Sequence, residues 1–149
     1  MNLEQLTLDV EQSTEIGADI GDVYKRTLYR LGEGNATSDG TSLNMILEEW
    51  AGGRWFRDRG QGIQHLWGHV QVLKPPVLIE LSGPMFMSYP AINHLEIKLE
   101  QISGGTSVKL RHRAIGMIAD DHREGIGEGW KGILEGLKAD FVEAAKASS

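Results

Sequence analysis

The chain has 149 residues, of which 40% are hydrophobic and 24% charged, and it carries a formal net charge of −6 with no cysteine. This length and balance predict a single domain over residues 1–149, large enough to bury a core. The negative charge argues against nucleic acid or an anionic membrane as partner, because both reward clustered lysine and arginine. The missing cysteine excludes disulfides, thiol nucleophiles and thiolate metal sites.

Residues 1–12 lack the basic start and apolar run of a signal peptide. No apolar stretch approaches the ~20 residues of a membrane span, so a cytoplasmic chain is expected. Partial alternation (Leu6, Leu8, Val10) predicts a first strand over residues 3–16. A helix over 19–31 follows, with Ile20, Val23, Tyr24, Thr27, Leu28 and Leu31 as its apolar stripe. Asp19 can cap it and Gly32 can end it. Residues 33–41 are rich in Gly, Asn and Ser and read as a loop.

From 42 to 114 the helical period vanishes. Short strands are predicted at 43–50, 54–58, 63–73, 77–82, 92–101 and 106–114. They are separated by Gly52-Gly53, Gly60-Gln61-Gly62, Pro75-Pro76, Gly83-Pro84 and Gly104-Gly105. Turn signals at this spacing indicate an antiparallel meander. Alternation in the last two strands places Asn93, Leu95, Ile97 and Leu99 on one face, and Thr106, Val108, Leu110 and His112 likewise. With the charges outward, two polar side chains, Asn93 and His112, fall on the buried side.

The last element, residues 121–146, is the longest. Ile126, Trp130, Ile133, Leu134, Leu137 and Phe141 form one stripe, opposite Glu128, Lys131, Glu135 and Lys138. Asp121 can cap it, with Glu124 completing a capping box. At ~1.5 Å per residue the helix is about 40 Å long and needs a broad apolar surface beneath it. Gly125, Gly129, Gly132 and Gly136 make a second, smooth stripe on its flank, which admits another backbone, leaves room for a ligand, or marks a helix that starts late with loose first turns. Strand, helix, six strands and a long helix define an α+β order rather than α/β.

Four segments carry a family resemblance: Val23-Tyr24 in the first helix, GHVQVLKPPVLIEL (68–81), GGTSVKLRHRAIG (104–116) and GWKGILEGLKADF (129–141). They resemble the helix-grip proteins of the START and Bet v 1-like (SRPBCC) superfamily, in the branch named after the activator of the heat-shock chaperone ATPase. The short second helix usual in that family is not evident between Glu33 and Thr41. The resemblance implies a curved antiparallel sheet of about seven strands gripping the long helix, with an apolar cavity between them. Members bind lipids, sterols, polyketides or hormones. Some are cyclases or aromatases, and some regulate chaperones. No catalytic motif is shared across the superfamily, so no catalytic residue, metal or cofactor is carried over.

Candidate lining residues are Trp130, His112, Asn93, Met85, Met87 and Tyr89. Trp130 either fills the core or stacks on a ligand. His112 and Asn93 are either core groups hydrogen-bonded internally or polar anchors in an apolar pocket. The apolar connector Met85-Phe86-Met87-Ser88-Tyr89-Pro90 continues the fourth strand, lines the cavity mouth or forms a homodimer contact. His65 and His69 on a strand stand ~13 Å apart at ~3.3 Å per residue, too far to share a metal. His94 and His122 read as surface residues, and Trp55 with Arg54, Arg57 and Arg59 as a solvated strand face. The GxGxxG match at 127–132 lies inside a helix and lacks the βαβ setting of a dinucleotide site. The expected function is binding of an apolar small molecule: a lipid, an aromatic or a polyketide-like compound. The alternatives are a cyclase or dehydratase using His112 as acid or base, and a chaperone-linked adaptor acting through its outer surface.

Overall fold

The computed structural model describes residues 2–148. Its elements are α1 (Leu3–Leu6), β1 (Thr7–Ile16), α2 (Ile20–Leu31), β2 (Met45–Leu47), β3 (Arg54–Asp58), β4 (Gln64–Lys74), β5 (Leu78–Gly83), β6 (Ala91–Ile102), β7 (Gly105–Gly116) and α3 (Asp120–Ser148). The strands form one seven-stranded sheet in the order β1-β7-β6-β5-β4-β3-β2, antiparallel throughout. Only β1 leaves chain order, crossing over to pair with β7.

The alternation read from the sequence sets the inner face. One inward row runs Val10, His112, Leu95, Leu81 and Val70 across five strands. Asn93, Leu95, Ile97, Leu99, Thr106, Val108, Leu110 and His112 are all buried. Bulges between Trp55 and Phe56 in β3 and between Val70 and Val72 in β4 bend the sheet. Where β4 meets β5, Gly68 and Gly83 let the backbones touch. A Cβ on Gly68 would lie 2.5 Å from the Ser82 carbonyl oxygen, and one on Gly83, at φ 155, 2.4 Å from the Gly68 Cα.

α3 lies along the concave side. Ile126, Trp130, Leu134 and Leu137 are buried against the sheet, and Ile133 and Phe141 are partly buried. Near its start, Arg123 donates to the carbonyls of Thr7 (2.6 Å) and Gln5 (3.0 Å). Near its end, Asp140 accepts from Arg26 (2.8 Å) and Arg30 (2.7 Å) of α2. Burial raises the Asp140 carboxyl, but the two guanidinium partners outweigh it and hold the group below its ordinary value.

Three expected boundaries are corrected. Residues 3–6 form a helical turn instead of extending β1, because Asn2 and Gln5 make a reciprocal capping box and none of the four residues is buried to reward alternation. The strand expected at 43–50 contracts to Met45–Leu47, because the chain turns at 48–53, with Trp50 N–H on the Glu48 carbonyl and Gly53 N–H on that of Trp50. α3 begins at Asp120, so Asp121 lies in the first turn rather than at the cap. There both carboxylates complement the helix dipole.

Candidate ligand cavity

The centre of the α3 interface is polar and sealed. Trp130 Nε1–H donates to His112 Nδ1 at 2.9 Å, and His112 Nε2 lies 2.7 Å from Asn93 Oδ1. Asn93 Nδ2 donates to the carbonyls of Gly83 (3.2 Å) and Pro84 (3.1 Å). The indole is only a donor, so Nδ1 bears a lone pair and Nε2 carries the proton that Asn93 accepts. His112 is therefore neutral, and both its nitrogens are engaged. Burial alone pushes its pKa down to about 4. Asn93 and His112 are fully buried. A histidine so placed offers neither proton nor lone pair to a bound molecule.

Open space lies to one side of this network. A cavity of about 350 Å³ is bounded by Trp67 from β4, Phe86 from the β5–β6 connector, Asn35, Ala36 and Leu43 from the α2–β2 loop, and the first half of α3. α3 contributes Asp121, His122, Gly125, Ile126, Gly129, Trp130 and Ile133. Along its glycine stripe the helix stands clear of the loop. A Cβ on Gly125, Gly129 or Gly132 would meet no atom within 4 Å. Past Gly129 lies a separate groove of about 780 Å³, between residues 34–40 and the α3 flank from Glu128 to Ala139, which shares Asn35, Ala36, Gly129 and Ile133 with the cavity. Arg30, held by Asp140, lies against Gly136 at the far end of the groove. The 33–43 segment contains no helix, only a bridge between Ala36 and Ser42, and this loop is one wall of both spaces.

Of the six residues named from sequence, Trp130 lines the cavity. It meets His112 and Asn93 in the buried network behind the wall. Met85 and Met87 are buried in the core. Met85, at φ 55, anchors its N–H on the Trp67 carbonyl at 2.7 Å. Tyr89 is half-buried and sits behind His122, its hydroxyl 2.6 Å from Nδ1. Their connector is a loop and not a continued strand, and the residue it sends into the cavity is Phe86.

Two expectations are overturned. His122 is not a plain surface residue: it is half-buried and lines the cavity. Trp55 is not on a solvated face: it is 1% exposed and donates to the Leu31 carbonyl at 2.8 Å. It opens a file of edge-on rings, Trp55 to Trp67 (5.2 Å), Trp67 to Phe86 (5.6 Å) and Phe86 to His122 (5.1 Å). Among the described residues no group of three or more His, Cys, Asp or Glu could hold a metal, and no helix is long and apolar enough to cross a membrane.

A curved antiparallel sheet closed over a long C-terminal helix, with a short helix after the first strand, is the helix-grip fold of the SRPBCC, Bet v 1-like superfamily. Residues 38–141 match the model of the activator of Hsp90 ATPase homolog 1-like proteins, and the chain belongs to that family. No curated protein matches the sequence. Among solved structures, an uncharacterized protein from Rhizobium leguminosarum superposes with a TM-score of 0.71 at 15% identity, over 93% of this chain and 95% of that one. The Aha1 dimer from Colwellia psychrerythraea gives 0.64 at 18%, over 90% and 96%. The di-domain ARO/CYC StfQ from the steffimycin biosynthetic pathway gives 0.66 at 14%, over 97% of this chain and 53% of that one. At these identities the likeness is one of fold.

Proposed function

We propose that the protein binds an apolar small molecule, aromatic or polyketide-like in its skeleton, in the cavity on the glycine flank of α3. One observation carries this reading. Gly125 and Gly129 stand inside a helix where each costs about 1 kcal/mol against alanine, a Cβ on either would meet nothing within 4 Å, and they border a space walled by Trp67, Phe86, Trp130, Ile126 and Ile133. Small-molecule sites are mostly apolar and concave, with few polar groups, and this one has that composition.

The test separates space from stability. Gly132 lies on the groove and not on the cavity wall. Gly132→Ala is expected to raise stability by about 1 kcal/mol and to leave binding of the neutral fluorophore phenylnaphthylamine unchanged. Gly129→Leu is also a better helix former, but its side chain enters the cavity. Overfilling of this kind is expected to weaken the probe roughly tenfold or more. Equal binding to Gly129→Leu and wild type, or no thermal shift with any neutral aromatic probe, would remove the proposal.

A chaperone-linked adaptor is the second reading. The family description favours it, as do Ile92 and Ile115, cross-strand neighbours on the outer face that are 67% and 56% exposed. It predicts a partner, or a second copy of the chain, that is lost in Ile92→Lys and indifferent to Gly129→Leu. A pull-down or sedimentation measurement with both variants decides it.

A further inference from the structure

We propose that His122, set by Tyr89, is the polar end of this cavity and selects flat aromatic ligands that carry a neutral hydroxyl or carbonyl oxygen at their edge. The inference rests on the binding reading above and deepens it to a ligand class.

Three contacts fix the imidazole. Its Nδ1 meets the Tyr89 hydroxyl at 2.6 Å, its ring stacks on Tyr89 with centroids 5.6 Å apart and planes at 28°, and the Phe86 ring stands edge-on at 5.1 Å. The ring is thus held at the cavity wall beside Phe86 and Trp67. Its Nε2 has no partner among the described residues. No side-chain nitrogen or oxygen there is buried without a partner, so Nε2 is accessible, on a ring that lines the cavity.

The pairing with tyrosine makes that open nitrogen adaptable. A hydroxyl both donates and accepts. When Tyr89 donates to Nδ1, Nε2 carries a proton and can meet a ketone. When Nδ1 donates to Tyr89, Nε2 is a lone pair and can accept from a phenol. Both states are neutral. The rest of the lining decides the charge of the ligand: Asp121 is present, and no lysine or arginine is. A carboxylate head would face that like charge with no lysine or arginine to offset it, which disfavours fatty acids and other anionic lipids. A volume of about 350 Å³ lies near the lower limit of about 300 Å³ for small-molecule sites, which suits two fused rings better than four.

The experiment titrates the protein at neutral pH with naphthalene, β-naphthol and β-naphthoate, following tryptophan fluorescence. β-Naphthol is expected to bind about fivefold more tightly than naphthalene, the scale of one net hydrogen bond, and β-naphthoate more weakly than either. In His122→Phe the naphthol preference should vanish while naphthalene affinity is kept, which also reports that the variant is folded. In Tyr89→Phe, which frees the imidazole, the preference should shrink. Naphthalene binding with no naphthol preference, or a preference that survives in His122→Phe, overturns the polar subsite alone. Failure of all three compounds to bind overturns the cavity reading and this one with it.

Discussion

Replacing Trp130 with alanine is expected to destabilise the protein by about 3–5 kcal/mol, the range for removing a large aromatic from a packed core. The ring is 4% exposed and stands on α3 over β7, where its plane meets His112 edge-on at 89°. Two losses combine. The apolar surface of the indole is no longer buried, and the space it leaves adjoins a cavity already open on one side. His112 Nδ1 also loses its donor. Trp130→Phe separates these, because it keeps most of the ring and removes only the N–H. An unmatched buried acceptor costs about 1–3 kcal/mol, and Trp130→Phe should fall in that range. Urea denaturation of Trp130→Phe, His112→Phe and the double variant measures the coupling. Effects that add to within about 0.5 kcal/mol would mean that the indole–imidazole bond does not tie α3 to the sheet.

The tie was half legible in the sequence. Alternation alone assigned Asn93 and His112 to the inner face, because a strand's period of two is local information. Whether their polar atoms would be free for a ligand was not local. It depended on Trp130 arriving from the next element and on the carbonyls of Gly83 and Pro84 turning inward. The strands and both main helices were readable for the same reason: apolar period and turn residues are written within a few positions of each other. The cavity was not, because its walls come from Leu43, Trp67, Phe86 and α3, which only tertiary structure brings together. His122 looked solvated because its chain neighbours Asp120, Asp121, Arg123 and Glu124 are charged, whereas its environment is set by Tyr89 and Phe86, more than thirty positions earlier. The one mark the cavity left in the sequence was negative, a row of missing side chains at helical spacing along α3.

The neutral state of His112 makes stability depend on pH in a window of its own. In the unfolded chain the imidazole titrates near its ordinary 6.5, and in the folded protein burial lowers this to about 4. Between these values the unfolded state binds the proton and the native state does not, so acid favours unfolding. The contribution is complete above pH 6.5, is lost progressively as the pH falls, and is spent below about 4. At ~1.4 kcal/mol for each pH step between the two values, the loss is of the order of 3 kcal/mol. Protonation of the native state would have to occur at Nδ1, where the proton would displace the Trp130 N–H. The carboxylates with lowered pKa act mostly at lower pH: Asp140, Asp9 and Asp39 contribute stability that disappears as the pH falls below their ordinary 3.8, and Glu48, ordinarily 4.5, begins to lose its own at the foot of this window, equally in the wild type and in His112→Phe. Chemical denaturation of the wild type at intervals from pH 7 to pH 4 should therefore show a steady decline. His112→Phe, less stable at pH 7, should be nearly flat over the same interval, so that the two curves converge towards pH 4. Parallel curves would mean that His112 takes up its proton without leaving the fold, and that the Trp130–His112–Asn93 chain is not a fixed, neutral clamp between α3 and the sheet.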